Sequence, residues 1–270
     1  PAGRRPARGT GPAVKIALAF FGLPRNTAAT WPAIERHLFA PLARHGELQV
    51  FHHLWRQAWV LNRRSGENGP QPGAAYAPFQ PLRGRIEPRP VHDPPELRRL
   101  KAWGDAWGDG FQSLTHFVLQ LQSLLAVTQL VAETGEPDLV VFARPDLLYH
   151  EPLADADIAR ALHHPDEVAL PGWECWGGCN DRFALAGARA WRAYGGRLLL
   201  ADQFCEATRR PIHAETFLAY ALDYAGVQVR TIATRASRVR IDGRMEGEDF
   251  EGRRSPLLQA TPARTGRRDR

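Results

Sequence analysis

Hydrophobic and polar positions alternate between two rhythms along this chain. Residues 14–21 (VKIALAFF) form a nearly continuous apolar run closed by Gly22-Leu23-Pro24, which predicts a buried strand entering a turn. Pro32 suits the first turn of a helix. Ile34, Leu38 and Leu42 then recur at four-residue spacing and predict a helical face. Residues 48–52 (LQVFH) read as a second short strand. A strand–loop–helix–strand opening predicts an α/β domain with a mostly parallel sheet.

Between residues 62 and 95 Pro and Gly recur and periodicity fades, which predicts a long loop or flap. Periodicity returns at Leu114, Phe117, Val118, Leu121, Leu124 and Leu125, the apolar stripe of a long helix ended by Gly135 and Pro137. Residues 139–142 (LVVF) predict another buried strand, followed by a helix near 154–162, a short strand at 168–170 and a loop at 171–181. A segment at 183–187, helices near 188–194 and 215–224, and a last strand at 227–232 complete the pattern. The expected fold is one α/β domain over residues 14–244, between a disordered basic leader (1–13) and a poorly ordered basic tail (245–270).

Composition changes this picture little. The 270 residues carry a net charge of +6, but the basic residues crowd the two ends and only Lys15 and Lys101 are lysines. No aromatic-basic module accompanies the charge, so nucleic acid is not an expected partner. No run approaches the roughly 18 apolar residues of a membrane span, and no apolar segment precedes Val14, so a cytoplasmic protein is expected. Cys175, Cys179 and Cys205 give no complete disulfide framework. His163 and His164 do not complete a zinc site with Cys175 and Cys179, because no second tight ligand pair follows.

Ligands of parallel α/β sheets bind at the carboxyl ends of the strands, and three unusual segments fall there. The first is the turn 22–26, where Gly22 permits close backbone approach and Arg25 is suited to pairing with a phosphate. The second is Arg144-Pro145-Asp146, behind the strand LVVF. Arg144 there can neutralise phosphates, and Asp146 can hold Mn²⁺ or Mg²⁺ or a sugar hydroxyl, its alternative being a turn cap. The third is residues 173–181 (WECWGGCND). Trp173 and Trp176 offer faces for a sugar or base, Gly177-Gly178 permits unusual backbone angles, and Asn180 and Asp181 can bind hydroxyls or, for Asp181, act as base. The alternative there is two core tryptophans and an Asx turn. Further on, Glu215 is either a first-turn acidic residue of a helix or an acceptor-side carboxylate, with His213 beside it. One of His52 and His53 is expected to face the site, and Arg235, Arg238 and Arg240 to close over a diphosphate or form a solvated run.

These segments in order, FFGLPRN, VFHHLW, DLVVFARPDLLYHEPL and NDRFALAGARAWRAY, resemble a group of bacterial glycosyltransferases that build capsule, lipopolysaccharide or related glycans. The resemblance implies a GT-A-like (Rossmann-like) fold and a nucleotide-diphosphate sugar as donor. It places Gly22 and Arg25 near the nucleotide, and Arg144 and Asp146 where a metal-binding Asp-x-Asp stands. It turns the segment 180–183 toward the transferred sugar or the acceptor. Because Arg144 occupies the first acidic position, transfer with or without a divalent ion is compatible with the pattern. The acceptor is a glycan or small molecule, and the base is Asp181 or Glu215. Two other readings remain. Gly22-Leu23-Pro24-Arg25 with Thr30-Trp31 is similar to the phosphosulfate-binding loop of sulfotransferases, although residues 26–29 lack its Ser-Gly-Thr. The other is a non-catalytic carbohydrate-binding protein.

Overall fold

The computed structural model describes residues 13–252. In chain order it contains β1 (Lys15–Gly22), α1 (Thr27–Ile34), a π-helical turn (Glu35–Phe39), α2 (Ala40–His45), β2 (Glu47–Arg56), β3 (Trp59–Asn62), β4 (Glu67–Pro70) and β5 (Arg83–Pro88). Then follow α3 (Pro95–Lys101), α4 (Gln112–Ala132), β6 (Leu139–Ala143), β7 (Leu147–Tyr149), α5 (Asp155–His163), β8 (Glu167–Pro171) and β9 (Phe183–Gly187). The chain continues with α6 (Trp191–Gly195), α7 (Ala201–Thr208), α8 (Ala214–Tyr224), β10 (Gln228–Ile232) and β11 (Ala236–Arg238).

A seven-stranded sheet in the order β10-β8-β9-β6-β1-β2-β5 runs through the middle, parallel throughout except for β9. The expected α/β class with a mostly parallel sheet is therefore what the chain forms. β1 is apolar on both faces because both are covered. Ala17, Ala19 and Phe21 face a core built with α4, α6 and α8, while Ile16, Leu18 and Phe20 face one built with α1, α2 and α5. By length and composition α4 would reach across a bilayer. It carries no charged residue, and eleven of its side chains are buried, packed on β1 and β2 at the centre of the molecule.

Three departures from the sequence expectations matter for the site. First, residues 62–95 are not a single loop. Val60 and Glu67 alternate inward along the β3–β4 hairpin, and β5 joins the central sheet as an edge strand through parallel pairing with β2. Its arginine-rich sequence (RGRIEP) has no apolar period, because none of the side chains of this edge strand is buried. Secondly, the first helix begins at Thr27, capped by Asn26, rather than at Pro32. It continues through a π turn that Pro41 explains: proline has no N–H for His37, and the His37 carbonyl instead accepts the Leu153 amide at 3.0 Å. Ile34, Leu38 and Leu42 are buried as expected. Thirdly, residues 245–252 of the supposed tail are packed against the domain, with the Glu248 side chain only 1% exposed. The leader up to residue 12 and the tail from residue 253 lie outside the described residues.

The reversal of β9 positions the chemistry. β9 pairs antiparallel with β6, Phe183 opposite Ala143. The residues that enter β9, Asn180 to Arg182, therefore lie at the same sheet end as those that leave β6, Arg144 to Asp146. β11 pairs antiparallel with β7, and the Val239 amide donates to the Asp146 carbonyl at 2.8 Å. That pairing delivers Arg238 and Arg240 to the same place.

Candidate active site

A cleft of about 530 Å³ opens at the carboxyl ends of β1, β2 and β6. Of the residues singled out from sequence, Gly22, Arg25, Arg144, Trp176, Asp181, His213, Glu215, Arg238 and Arg240 line it.

One wall is cationic and is organised from behind by buried carboxylates. Gly22 leaves β1 with φ +99°, a conformation open to glycine, and its amide donates to the Ser123 hydroxyl of α4 at 2.8 Å. Arg25 then reaches between two acids, donating from Nε to Glu67 at 3.0 Å and from Nη1 to Asp146. Arg144 grips Asp146 through two parallel bonds, Nε–Oδ1 at 3.0 Å and Nη2–Oδ2 at 2.8 Å. Burial alone would raise the Asp146 pKa, but Arg144 and Arg25 override it and hold the carboxyl well below the usual carboxylate range. Arg182 and Arg238 share Glu248, each at 2.9 Å. Arg240 joins Glu67 at 3.1 Å and Glu246 at 2.8 Å.

The same cleft also holds two carboxylates and aromatic rings. Asp181 accepts from Gln120 Nε2 at 3.1 Å. Glu215, at the start of α8, lies beside His213 with Nδ1–Oε2 at 3.2 Å. Burial first, and the negative charge of Asp181 second, push the Glu215 carboxyl up to about 8. Burial lowers the His213 pKa, so this imidazole is uncharged at neutral pH, and Trp107 stacks on it with ring centroids 5.3 Å apart. Trp176 sits half-exposed across the opening, in a loop where Glu174, Trp176 and Gly177 all have positive φ.

Several expected site residues are elsewhere. Asp146 is buried beneath the cleft surface, and both its oxygens are engaged by guanidinium groups. Asn180 is also buried. Its side chain donates to the Trp173 carbonyl at 2.5 Å and accepts the Arg182 amide at 2.9 Å, so it makes the Asx turn that leads into Arg182 and does not line the cleft. Trp173 is core, packed on Phe250 and bonded to the Thr234 carbonyl. His52 and His53 lie within β2 and both are buried. His53 bonds Ser123, His52 packs on Phe79, and neither lines the cleft. Arg235 turns away to pair with Glu151.

Other contributors escape a reading by motif. Arg182 lies inside the recognised segment but looks like a strand-entry residue. Trp107 is carried by the loop 104–111, wound around Asp105, whose carboxylate accepts the amides of Trp107, Asp109 and Phe111. The Gly-Asp-rich spelling of that loop is its signal. His116 and Gln120, one helical turn apart, are polar interruptions in the apolar α4, and they form the cleft floor. Glu67, Glu246 and Glu248 carried no signal, since only tertiary pairing gives them a role.

A divalent ion does not fit these residues. Asp146 stands where the resemblance puts a metal ligand, yet its oxygens are occupied by Arg25 and Arg144. Among the described residues no group of three or more His, Cys, Asp or Glu side chains is arranged to hold a metal. The sulfotransferase reading would use free amides at the start of α1, and the Asn26 side chain already caps that turn through the Ala29 amide.

No protein-family model matches the chain, and no curated protein matches it. Among solved structures it is similar to mouse xyloside xylosyltransferase 1 in its apo form, with 12% identity over 81% of this chain and 84% of that one and a TM-score of 0.44. It is also similar to core-mannan synthase A from Aspergillus fumigatus in a Mn/GDP form, with 6% identity, 87% and 77% coverage and a TM-score of 0.48. A third similarity is to the galactosyltransferase LgtC in complex with donor and acceptor sugar analogs, with 10% identity, 79% and 72% coverage and a TM-score of 0.42.

Proposed function

We propose that this protein is a glycosyltransferase that moves a sugar from a nucleoside-diphosphate sugar to an acceptor hydroxyl. One observation carries the reading: a single cleft is lined by five arginines (Arg25, Arg144, Arg182, Arg238, Arg240) together with the pair Asp181 and Glu215. Glycosyl transfer needs both. The bond between the anomeric carbon and the diphosphate oxygen breaks, and charge develops on the departing diphosphate, where fixed cations stabilise it most. The acceptor oxygen bonds to the same carbon and gives up its proton to a carboxylate. Asp181 is assigned that role, because it lines the cleft and its carboxylate is anchored by Gln120. Gln120 keeps Asp181 oriented. Trp107 and Trp176 supply the faces on which a sugar ring packs.

The test is thermal shift and product analysis with UDP-, GDP-, CMP- and dTDP-sugars and with the phosphosulfate donor. Stabilisation by one of the UDP-, GDP- or dTDP-sugars, with release of its nucleoside diphosphate in the presence of acceptor glycans, is the expected result. In Asp181→Asn the donor still stabilises the protein, while turnover falls by about 10²- to 10⁴-fold. A response to the phosphosulfate compound alone, or unchanged turnover in Asp181→Asn, sinks the assignment.

A further inference from the structure

We infer that the donor's diphosphate is bound by guanidinium groups alone, in the place where a divalent ion would otherwise stand. This rests on the reading of the cleft as a nucleotide-sugar site and goes beyond it, since glycosyl transfer as such is compatible with either device.

The geometry is specific. A metal at this sheet end needs carboxylate oxygens with free lone pairs, and the acid at the end of β6 is Asp146. Arg144 takes one oxygen from Nε and the other from Nη2, and Arg25 adds a third bond from Nη1. An ion brought to Asp146 would displace both guanidiniums and then lie against them, cation against cation. The same pairs prepare the arginines for an anion. Asp146 uses two of the three Arg144 nitrogens and one of the three on Arg25, so the forks are held rigid while Arg144 Nη1 remains outside the pair. Arg182 provides independent support. It is only 7% exposed, lines the cleft, and is held from behind by Glu248, Nη2 to Oε2 at 2.9 Å. Its guanidinium is thereby a fixed positive charge in the cleft lining, ready for an anion. Arginine suits this work better than lysine, because its planar fork meets two phosphate oxygens at once.

The experiment uses inorganic diphosphate and the whole protein. Calorimetric titration is run in EDTA and again in excess Mn²⁺, with correction for the diphosphate–Mn²⁺ complex formed in solution. Mn²⁺ alone is titrated separately by electron paramagnetic resonance. The expected results are saturable one-to-one binding in EDTA, affinities within about threefold in the two buffers, and no Mn²⁺ site below the millimolar range. Arg144→Lys, which keeps the charge and removes the fork, is expected to weaken binding in EDTA tenfold or more. Binding that vanishes in EDTA and returns with Mn²⁺ overturns the guanidinium site while leaving the donor reading intact. Absence of binding in both buffers overturns both.

Discussion

Burial and a neighbouring charge fix the protonation of Glu215, and this has a consequence for stability as well as for chemistry. Its carboxyl is raised from the ordinary value of 4.5 to about 8. Between those values the folded protein keeps a proton that the unfolded chain has lost, so stability falls as pH rises. The contribution is complete below about pH 4.5 and is lost by about pH 8, at a slope approaching 1.4 kcal/mol per pH unit. Glu215→Gln keeps the shape and removes the titration. We expect the variant to match the parent near pH 5 and to melt several degrees higher at pH 8.5, as read by circular dichroism. Identical pH profiles for the two proteins would show that Glu215 ionises freely. Asp181 and Glu215 were legible in the sequence as acids near strand and helix ends, but the division of labour between them was not. It depends on how the two carboxyls sit against each other and against the arginines, and no spacing rule reports that.

At the scale of elements, the loop 173–181 reaches the active site by leaning on the first turn of α8. Gly178 lies so close that an added Cβ would stand 2.1 Å from the Glu215 carbonyl oxygen and 2.6 Å from the Thr216 nitrogen. The neighbouring Cys179 amide bonds that same carbonyl at 3.0 Å. Gly178→Ala must therefore push the loop off the helix, separating Asp181 and Trp176 from Glu215. The expected outcome is a loss of about 1–3 kcal/mol in urea unfolding and a drop in turnover larger than the remaining folded fraction explains. Turnover that follows the folded fraction would show that the loop's position does not matter. The strands and helices that frame this loop were legible, because each has its own period. The direction of β9 was not, since FALAG reads the same whichever way it pairs. Only that direction brings Asn180, Asp181 and Arg182 beside Arg144, so the sequence yielded the segments of the site without its assembly.

The whole molecule is one sheet with a core on each face, and the two cores share every central strand. Leu185, in the middle of β9, is fully buried and packs in the core beside Leu139, Val141 and Ile158. Leu185→Ala is expected to cost about 2–5 kcal/mol, measured from the urea midpoint. Because the strands are common to both cores, loss on one face weakens the other. Unfolding should remain a single transition by tryptophan fluorescence and by circular dichroism, and two separated transitions would show that the faces melt independently. Apolar periodicity made this plan readable from β1 to β10. The arginine-rich β5 and the packed residues 245–252 were hidden, because backbone pairing with β2 holds the one and ion pairs, such as Glu248 with Arg182, the other.

Those distant partners impose an order of events. Arg25 reaches acids 42 and 121 positions away, and Arg182 is steadied by Glu248, 66 positions further on. Contacts of such long sequence separation require large loops to close and form slowly. A refolding chain will regain helical signal before it can hold a diphosphate, and the lag between the two signals in stopped-flow mixing measures the delay. During synthesis the anion site stays unfinished until Glu248 has emerged and docked. A half-made chain therefore lacks the finished arginine cluster, and occupancy of the cleft certifies that the chain around it has finished folding.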